Sequence, residues 1–364
     1  MARRPRRRLC CCCCLLPLLL GIGLVAYIHH VRRAPHWPPK SVARIPHSDG
    51  CKRPDWSPDG KELVFDRWPN PRPGQEGVGC ISVSDGKIRP IAAFGYGPTW
   101  SGDGKSIVFT DLLYVNGRAQ PSPIPTHPVL CSAGGKVVYR FDERRMRMSQ
   151  ARIDRRTGCI YGVAASRAGL GSRWGDDVVI AIDPKADRMR IVTARTISQQ
   201  GRAVIWSPDG KHSAYRQMMG GRMGYHHSVM VTDVDGTHPR ALPGPASLLS
   251  PPSWSPDGKW IAVIAMRNSP GKRLTDLVDS SPMRERRLGN TLADGIIGAV
   301  GPGAYRGAEL WVLAADGSSK QMVLDMGPTV DAYTAVTATN APTWSPDGTR
   351  IAFVKDGAIW MWKR

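Results

Sequence analysis

The sequence predicts an all-β chain: a six-bladed β-propeller of four-stranded antiparallel blades, preceded by one N-terminal transmembrane helix. Three observations lead there. One hexapeptide recurs five times. The recurrences are spaced by about one propeller blade or by multiples of it. Twenty residues near the N-terminus carry no charge.

The hexapeptide is the strongest of these signals. Trp56-Ser57-Pro58-Asp59-Gly60-Lys61 leads into Glu62-Leu63-Val64-Phe65, and Trp100-Ser101-Gly102-Asp103-Gly104-Lys105 leads into Ser106-Ile107-Val108-Phe109. Three further copies open at Trp206, Trp254 and Trp344, with aspartates at Asp209, Asp257 and Asp347 and glycines at Gly210, Gly258 and Gly348. Each reads as a hairpin turn. Proline presets φ at the second turn position, aspartate bonds back to nearby amides, and glycine takes the left-handed conformation. The β-branched and aromatic residues that follow suit a buried strand. The tryptophan ending the preceding strand is expected to bury its ring against the neighbouring blade.

A second hairpin follows in most units. Cys80 to Asp85-Gly86, Val229 to Asp235-Gly236 and Glu309 to Asp316-Gly317 each pair an apolar run with a turn signal. Two hairpins make a four-stranded unit. Trp56 to Trp100 is 44 residues and Trp206 to Trp254 is 48, one blade each. Trp100 to Trp206 is 106 residues, room for two units. The missing motif there is the degenerate Ile153-Asp154-Arg155-Arg156-Thr157-Gly158-Cys159-Ile160-Tyr161-Gly162-Val163, with Val178 to Ile182 and Arg190 to Thr193 as outer strands. Trp254 to Trp344 is 90 residues, which reads as one blade plus an insertion from about 267 to 306. That count is six; seven blades is the alternative if the interval hides two. Little chain remains after Trp344, so Val42 to Pro46 is expected to supply the missing outer strand and close the ring. Closure removes exposed sheet edges.

These tryptophan-led repeats resemble the WD-40-like repeat of TolB-type β-propellers, over about residues 41–364. The resemblance implies the fold and little about activity. Similar propellers occur in the TolB protein of the Tol–Pal envelope system and in prolyl oligopeptidase-type peptidases. The peptidases add a hydrolase domain with a GxSxG nucleophile elbow. No such pentapeptide occurs here, and Arg364 follows directly on the last predicted strands. TolB carries an α/β domain before its propeller, whereas 40 residues precede the propeller region at 41–364 here.

Residues 1–8 form a basic tail with five arginines, 9–28 the apolar stretch, 29–40 a proline-rich linker, and 41–364 the propeller. Twenty helical residues rise about 30 Å, the thickness of a bilayer's hydrocarbon core. The stretch lacks a small-x-small cleavage site, so it reads as an uncleaved signal anchor. The stronger positive flank precedes it, which predicts a cytoplasmic N-terminus and a periplasmic or extracellular propeller.

The formal charge is +20, and residues 34–364 hold 43 basic and 30 acidic groups. This excess is spread along the chain, which fits a solvated basic surface better than a nucleic-acid footprint. Five cysteines cluster at Cys10 to Cys14; Cys51, Cys80, Cys131 and Cys159 are widely spaced and form no CxxC pair. In an oxidising compartment Cys51 with Cys80 is the first pairing to test; buried free thiols are the other outcome.

No metalloprotease, P-loop or dinucleotide fingerprint occurs, and no cofactor is expected. Five equivalent aspartates in five blades point to turn stabilisation, not to an acid/base pair. Asp233-Val234-Asp235-Gly236 lacks the later glutamate of a calcium loop. His212, His226, His227 and His238 fall in one blade, where alternating strand faces separate His226 from His227. The leading functional expectation is a membrane-anchored, non-catalytic scaffold at the cell envelope that engages a protein, peptide or glycan. Its rivals are a hydrolase or lyase with a site in the funnel and a component of a Tol–Pal-like complex. Funnel sites leave no linear motif.

Overall fold

The computed structural model describes residues 37–67, 77–111, 114–115, 118–119, 128–141, 148–165, 177–193, 204–221, 224–234, 236–245, 248, 250–266, 307–328 and 341–364. Two compact units divide the chain, residues 1–39 and 40–364. The basic tail, the apolar stretch at 9–28, most of the linker and the 267–306 insertion lie outside the described residues. Among the described residues no helix is long and apolar enough to cross a membrane.

Residues 40–364 hold six four-stranded antiparallel sheets. Blade 1 is Lys52–Trp56, Glu62–Asp66, Val78–Ser82 and Ile88–Ala92. Blade 2 is Tyr96–Trp100, Ser106–Thr110, Pro128–Ser132 and Val137–Arg140; a short hairpin, Tyr114–Val115 with Arg118–Ala119, is inserted in it. Blade 3 is Met148–Ile153, Ile160–Ala165, Asp177–Asp183 and Arg188–Thr193. It starts from the degenerate motif, and Ile153 opposes Ile160 just as Trp56 opposes Leu63. Blade 4 is Ile205–Trp206, His212–Gly221, Gly224–Asp233 and Arg240–Ala241. Blade 5 is Ser253–Trp254, Trp260–Met266, Gly307–Ala314 and Lys320–Pro328, so the 90-residue interval contains one blade. Blade 6 joins Thr343–Trp344, Arg350–Lys355 and Ala358–Lys363 to Val42–Arg44. In that closure Val42 opposes Trp362 and Arg44 opposes Trp360.

Apolar residues on facing sheets of consecutive blades make the core. Trp56, Leu63, Phe65 and Ile81 of blade 1 pack on Ala352, Val354 and Ile359 of blade 6. Val64, Val78 and Cys80 meet Trp100, Ile107 and Phe109 of blade 2. Val108 and Leu130 meet Ile160, Ile180 and Ile182 of blade 3. Tyr161 and Ala181 pack against Val204, Tyr215 and Met230 of blade 4, and Val229 and Val231 against Ile261 and Val263 of blade 5. Each central strand is therefore apolar on both faces, which explains the unbroken runs that follow each motif.

Cys51, Cys80, Cys131 and Cys159 are free, and the first three are buried in these seams. The Cys51–Cys80 pairing does not form. The two side chains belong to different seams, Cys51 facing blade 6 and Cys80 facing blade 2. Burial pushes the thiols of Cys51 and Cys80 up to about 12 and that of Cys131 to about 11.

Candidate functional site, the central channel

Each intact motif builds the same turn. Ser57 Oγ donates to Asp59 Oδ1 at 2.6 Å and accepts the Glu62 amide at 2.9 Å, and Asp59 accepts the Lys61 amide at 3.1 Å. Ser101 with Asp103, Ser207 with Asp209, Ser255 with Asp257 and Ser345 with Asp347 repeat this arrangement. The serine bond and the amides hold the Asp59, Asp103, Asp209 and Asp347 carboxyls below the usual range, Asp347 at about 2. Asp257 is also lowered, although burial opposes its Ser255 and Lys259 bonds. Gly60, Gly104, Gly210, Gly258 and Gly348 all sit at φ between 68° and 70°.

The turns also touch each other around the ring. A Cβ built on Gly60 would stand 3.8 Å from Pro346, on Gly104 3.7 Å from Pro58, on Gly258 3.8 Å from Pro208 and on Gly348 3.8 Å from Pro256. The pyrrolidine of one blade thus covers the turn glycine of the next. Blade 3 breaks the series, because Arg155 and Arg156 occupy its turn. A Cβ on Gly102 would fall 2.0 Å from the Arg155 carbonyl oxygen. This explains why the second motif reads Ser-Gly-Asp where the others read Ser-Pro-Asp.

The tryptophans close the seams from the inside. Trp56 Nε1 donates to Thr343 O at 3.1 Å, Trp254 Nε1 to Ile205 O at 3.2 Å and Trp344 Nε1 to Ser253 O at 3.3 Å. In each case the acceptor is the residue just before the motif position of the preceding blade. The buried indole nitrogens of Trp100 and Trp206 have no partner among the described residues. Trp206 stacks on Tyr161 with ring centroids 4.4 Å apart.

Inside this collar lies a cavity of about 500 Å³ to which all six blades contribute. Its wall includes the residue before each tryptophan position: Asp55, Thr99, Arg152, Ile205, Ser253 and Thr343. Prolines one step earlier (Pro54, Pro98, Pro252, Pro342) and those of the turns add rigid apolar surface. Asp55 accepts the Trp100 amide at 2.8 Å and Arg155 Nη2 at 3.0 Å, and Arg155 Nη2 also donates to Trp56 O at 2.7 Å. Arg155 therefore reaches from blade 3 across blade 2 to blade 1. Thr99 Oγ1 accepts the Ile153 amide at 3.2 Å. Below the wall, Arg53 Nε donates at 2.6 Å to fully buried Asp66, whose Oδ2 also takes the Gly97 amide at 2.8 Å. Arg53 and Gly97 hold equivalent left-handed positions, φ 50° and 63°, each before a proline and within a bulge. Desolvation pushes the Arg152 pKa below the usual arginine value, Asp55 opposes this, and Arg53 adds to it.

The structure brings the prolines of the turns, Trp206, Trp254 and Trp344 to the channel and leaves the motif aspartates in their own turns. His212 and His238 converge on Asp233, at 3.3 and 2.7 Å from its two oxygens, at an exposed hairpin end. His227 is half-buried elsewhere on the same sheet; the His226 side chain and Asp235 lie outside the described residues. Among the described residues no group of three His, Cys, Asp or Glu could hold a metal ion. No sequence motif singles out Asp55, Arg152 or Arg155 as channel residues, although Arg155 lies within the degenerate motif of blade 3. Stacking the six repeats on their tryptophan positions would have found the first two, one residue upstream.

No family model and no curated protein matches this chain. Solved structures do. A TolB from Acinetobacter baumannii aligns at 18% identity and a TM-score of 0.48, over 75% of this chain and 53% of its own. This chain thus spans about half of that protein. A protein assigned as TolB from Agrobacterium tumefaciens aligns at 14% identity and a TM-score of 0.51, over 89% and 96%. A gluconolactonase from Xanthomonas campestris aligns at 13% and 0.52, over 88% of both chains. At these identities the likeness is one of fold.

Proposed function

Starting from a TolB-type six-bladed propeller, we propose that this chain is a membrane-anchored, non-catalytic binding protein. Its channel mouth takes a segment of a protein or peptide partner at the cell envelope. The observation that carries this reading is the state of the channel wall. Its two carboxylates are already engaged, Asp55 by Trp100 and Arg155, Asp154 by the Arg156 amide and Thr157. His, Cys and Glu are absent from the described lining. A general base would need a carboxylate or imidazole free to take a proton. What remains is proline, aromatic, backbone, hydroxyl and arginine surface, which suits binding of an extended segment at low entropic cost.

The anchor rests on the sequence, namely five arginines before residue 9 and twenty uncharged residues after them. Deleting residues 1–33 is expected to move the chain from the membrane to the soluble fraction. The binding role is tested by a photo-crosslinking residue at Ser253 or Thr343 in the wall, with exposed Val138 on an outer strand as control. A discrete adduct from the wall positions alone is expected in intact membranes. Equal labelling from Val138, or no adduct, overturns the reading. Lactone hydrolysis by the purified chain, abolished by Asp55→Asn, would overturn its non-catalytic part.

A further inference from the structure

Four arginines and two aspartates line the cavity: Arg53, Arg152, Arg155, Arg156, Asp55 and Asp154. Their pairing is uneven. Arg53 is held by Asp66, Arg155 by Asp55, and Arg156 stands 3.9 Å from Asp154 with its side chain 56% exposed. Arg152 has no hydrogen bond or ion pair among the described residues. It occupies the wall position where other blades place Thr99, Ile205, Ser253 or Thr343. Asp55 attracts it, but the Asp55 oxygens are spent on Trp100 and Arg155.

A half-buried guanidinium facing a cavity and lacking a protein acceptor among the described residues is well placed for an anionic group to complete it. A carboxylate matches its planar fork with two parallel hydrogen bonds. The surrounding prolines offer apolar contact, and the modest surplus of positive over negative groups suits one or two carboxylates better than a polyphosphate. We propose that the channel recognises an acidic peptide segment in extended form, one of whose side-chain carboxylates pairs with Arg152. Arg156 at the exposed edge steers the approach. This rests on the binding reading above and names the chemistry of its ligand.

The test uses the full chain in detergent and a positional-scanning library of acetylated, amidated hexapeptides. Selected sequences are expected to concentrate Asp or Glu at one position. Arg152→Gln should weaken the best peptide at least tenfold and reduce the salt dependence of its binding, with the melting temperature held or raised. Arg156→Gln, at an exposed site, should weaken it about threefold and slow association. Selection without acidic preference, an acidic peptide indifferent to Arg152→Gln, or tighter binding of an oligouronate than of any peptide each overturns the inference. The wall crosslink separates the two claims. An adduct that persists in Arg152→Gln leaves the binding role standing and removes the acidic segment; loss of every adduct in the unmodified chain removes both.

Discussion

Gly102 is the place where restoring the repeat's own preferred wording should do harm. Proline stands at this position in the other four intact motifs, and a compatible proline normally stabilises by about 0.4–1 kcal/mol through the unfolded chain. Here any Cβ would lie 2.0 Å from the Arg155 carbonyl oxygen, 2.8 Å from its carbonyl carbon and 3.1 Å from its Cα. All three are backbone atoms, so the neighbour cannot yield by a rotamer change, and the blade 3 turn must move by more than an ångström. Overpacking of this kind costs about 1–3 kcal/mol. The shift also pulls Arg155 from Asp55 and Trp56 O, a half-exposed contact worth up to about 1 kcal/mol. Gly102→Pro should therefore lose about 1–3 kcal/mol net in equilibrium urea unfolding followed by tryptophan fluorescence. Gly102→Ala should lose nearly as much, and Arg155→Ala should not rescue either, because the clash is with backbone. A Gly102→Pro chain as stable as the parent would refute the reasoning.

Asp66→Ala removes the carboxylate that the Arg53 guanidinium, only 10% exposed, donates to, and should cost about 3–5 kcal/mol in the same assay. Arg53→Met with Asp66→Leu should recover part of that loss. Trp254→Phe gives up a hydrogen bond that Trp100→Phe does not have, so at comparable burial the former should cost about 1 kcal/mol more. The Asp347 carboxyl is held at about 2, below its unfolded value, so its contribution is complete near neutral pH and is lost as pH falls toward that value. Asp347→Asn should flatten the acid limb of the urea midpoint between about pH 4 and 2, modestly because the group is solvent-screened. Site-resolved alkylation at pH 8 should modify half-exposed Cys159 well before Cys51, Cys80 or Cys131, whose thiols stay protonated.

Most of the fold was legible because the turn chemistry is local. Ser57, Asp59 and Gly60 satisfy one another within six residues, so the same words recur wherever the same bend is made. Blade 3 could be placed despite losing its tryptophan, since Ile153 and Ile160 keep the apolar pair across the hairpin. The channel was harder to read. Its wall is set by alternation along the inner strands and by neighbours 45 to 100 residues away, as in the Asp55 bonds to Trp100 and Arg155. Cys51 and Cys80 show the same limit: proximity in sequence says nothing about which seam a side chain enters.

The join between Val42–Arg44 and Ala358–Lys363 ties together two strands far apart in sequence, with Val42 opposite Trp362. The ring of blades stays unsealed until both partners of this join are in place, so a folding intermediate lacking either one carries an open sheet edge on each side of the gap. A chain deprived of Ala358–Lys363 would be nearly whole yet permanently unlatched, its unsatisfied strand edges open to pairing with another molecule.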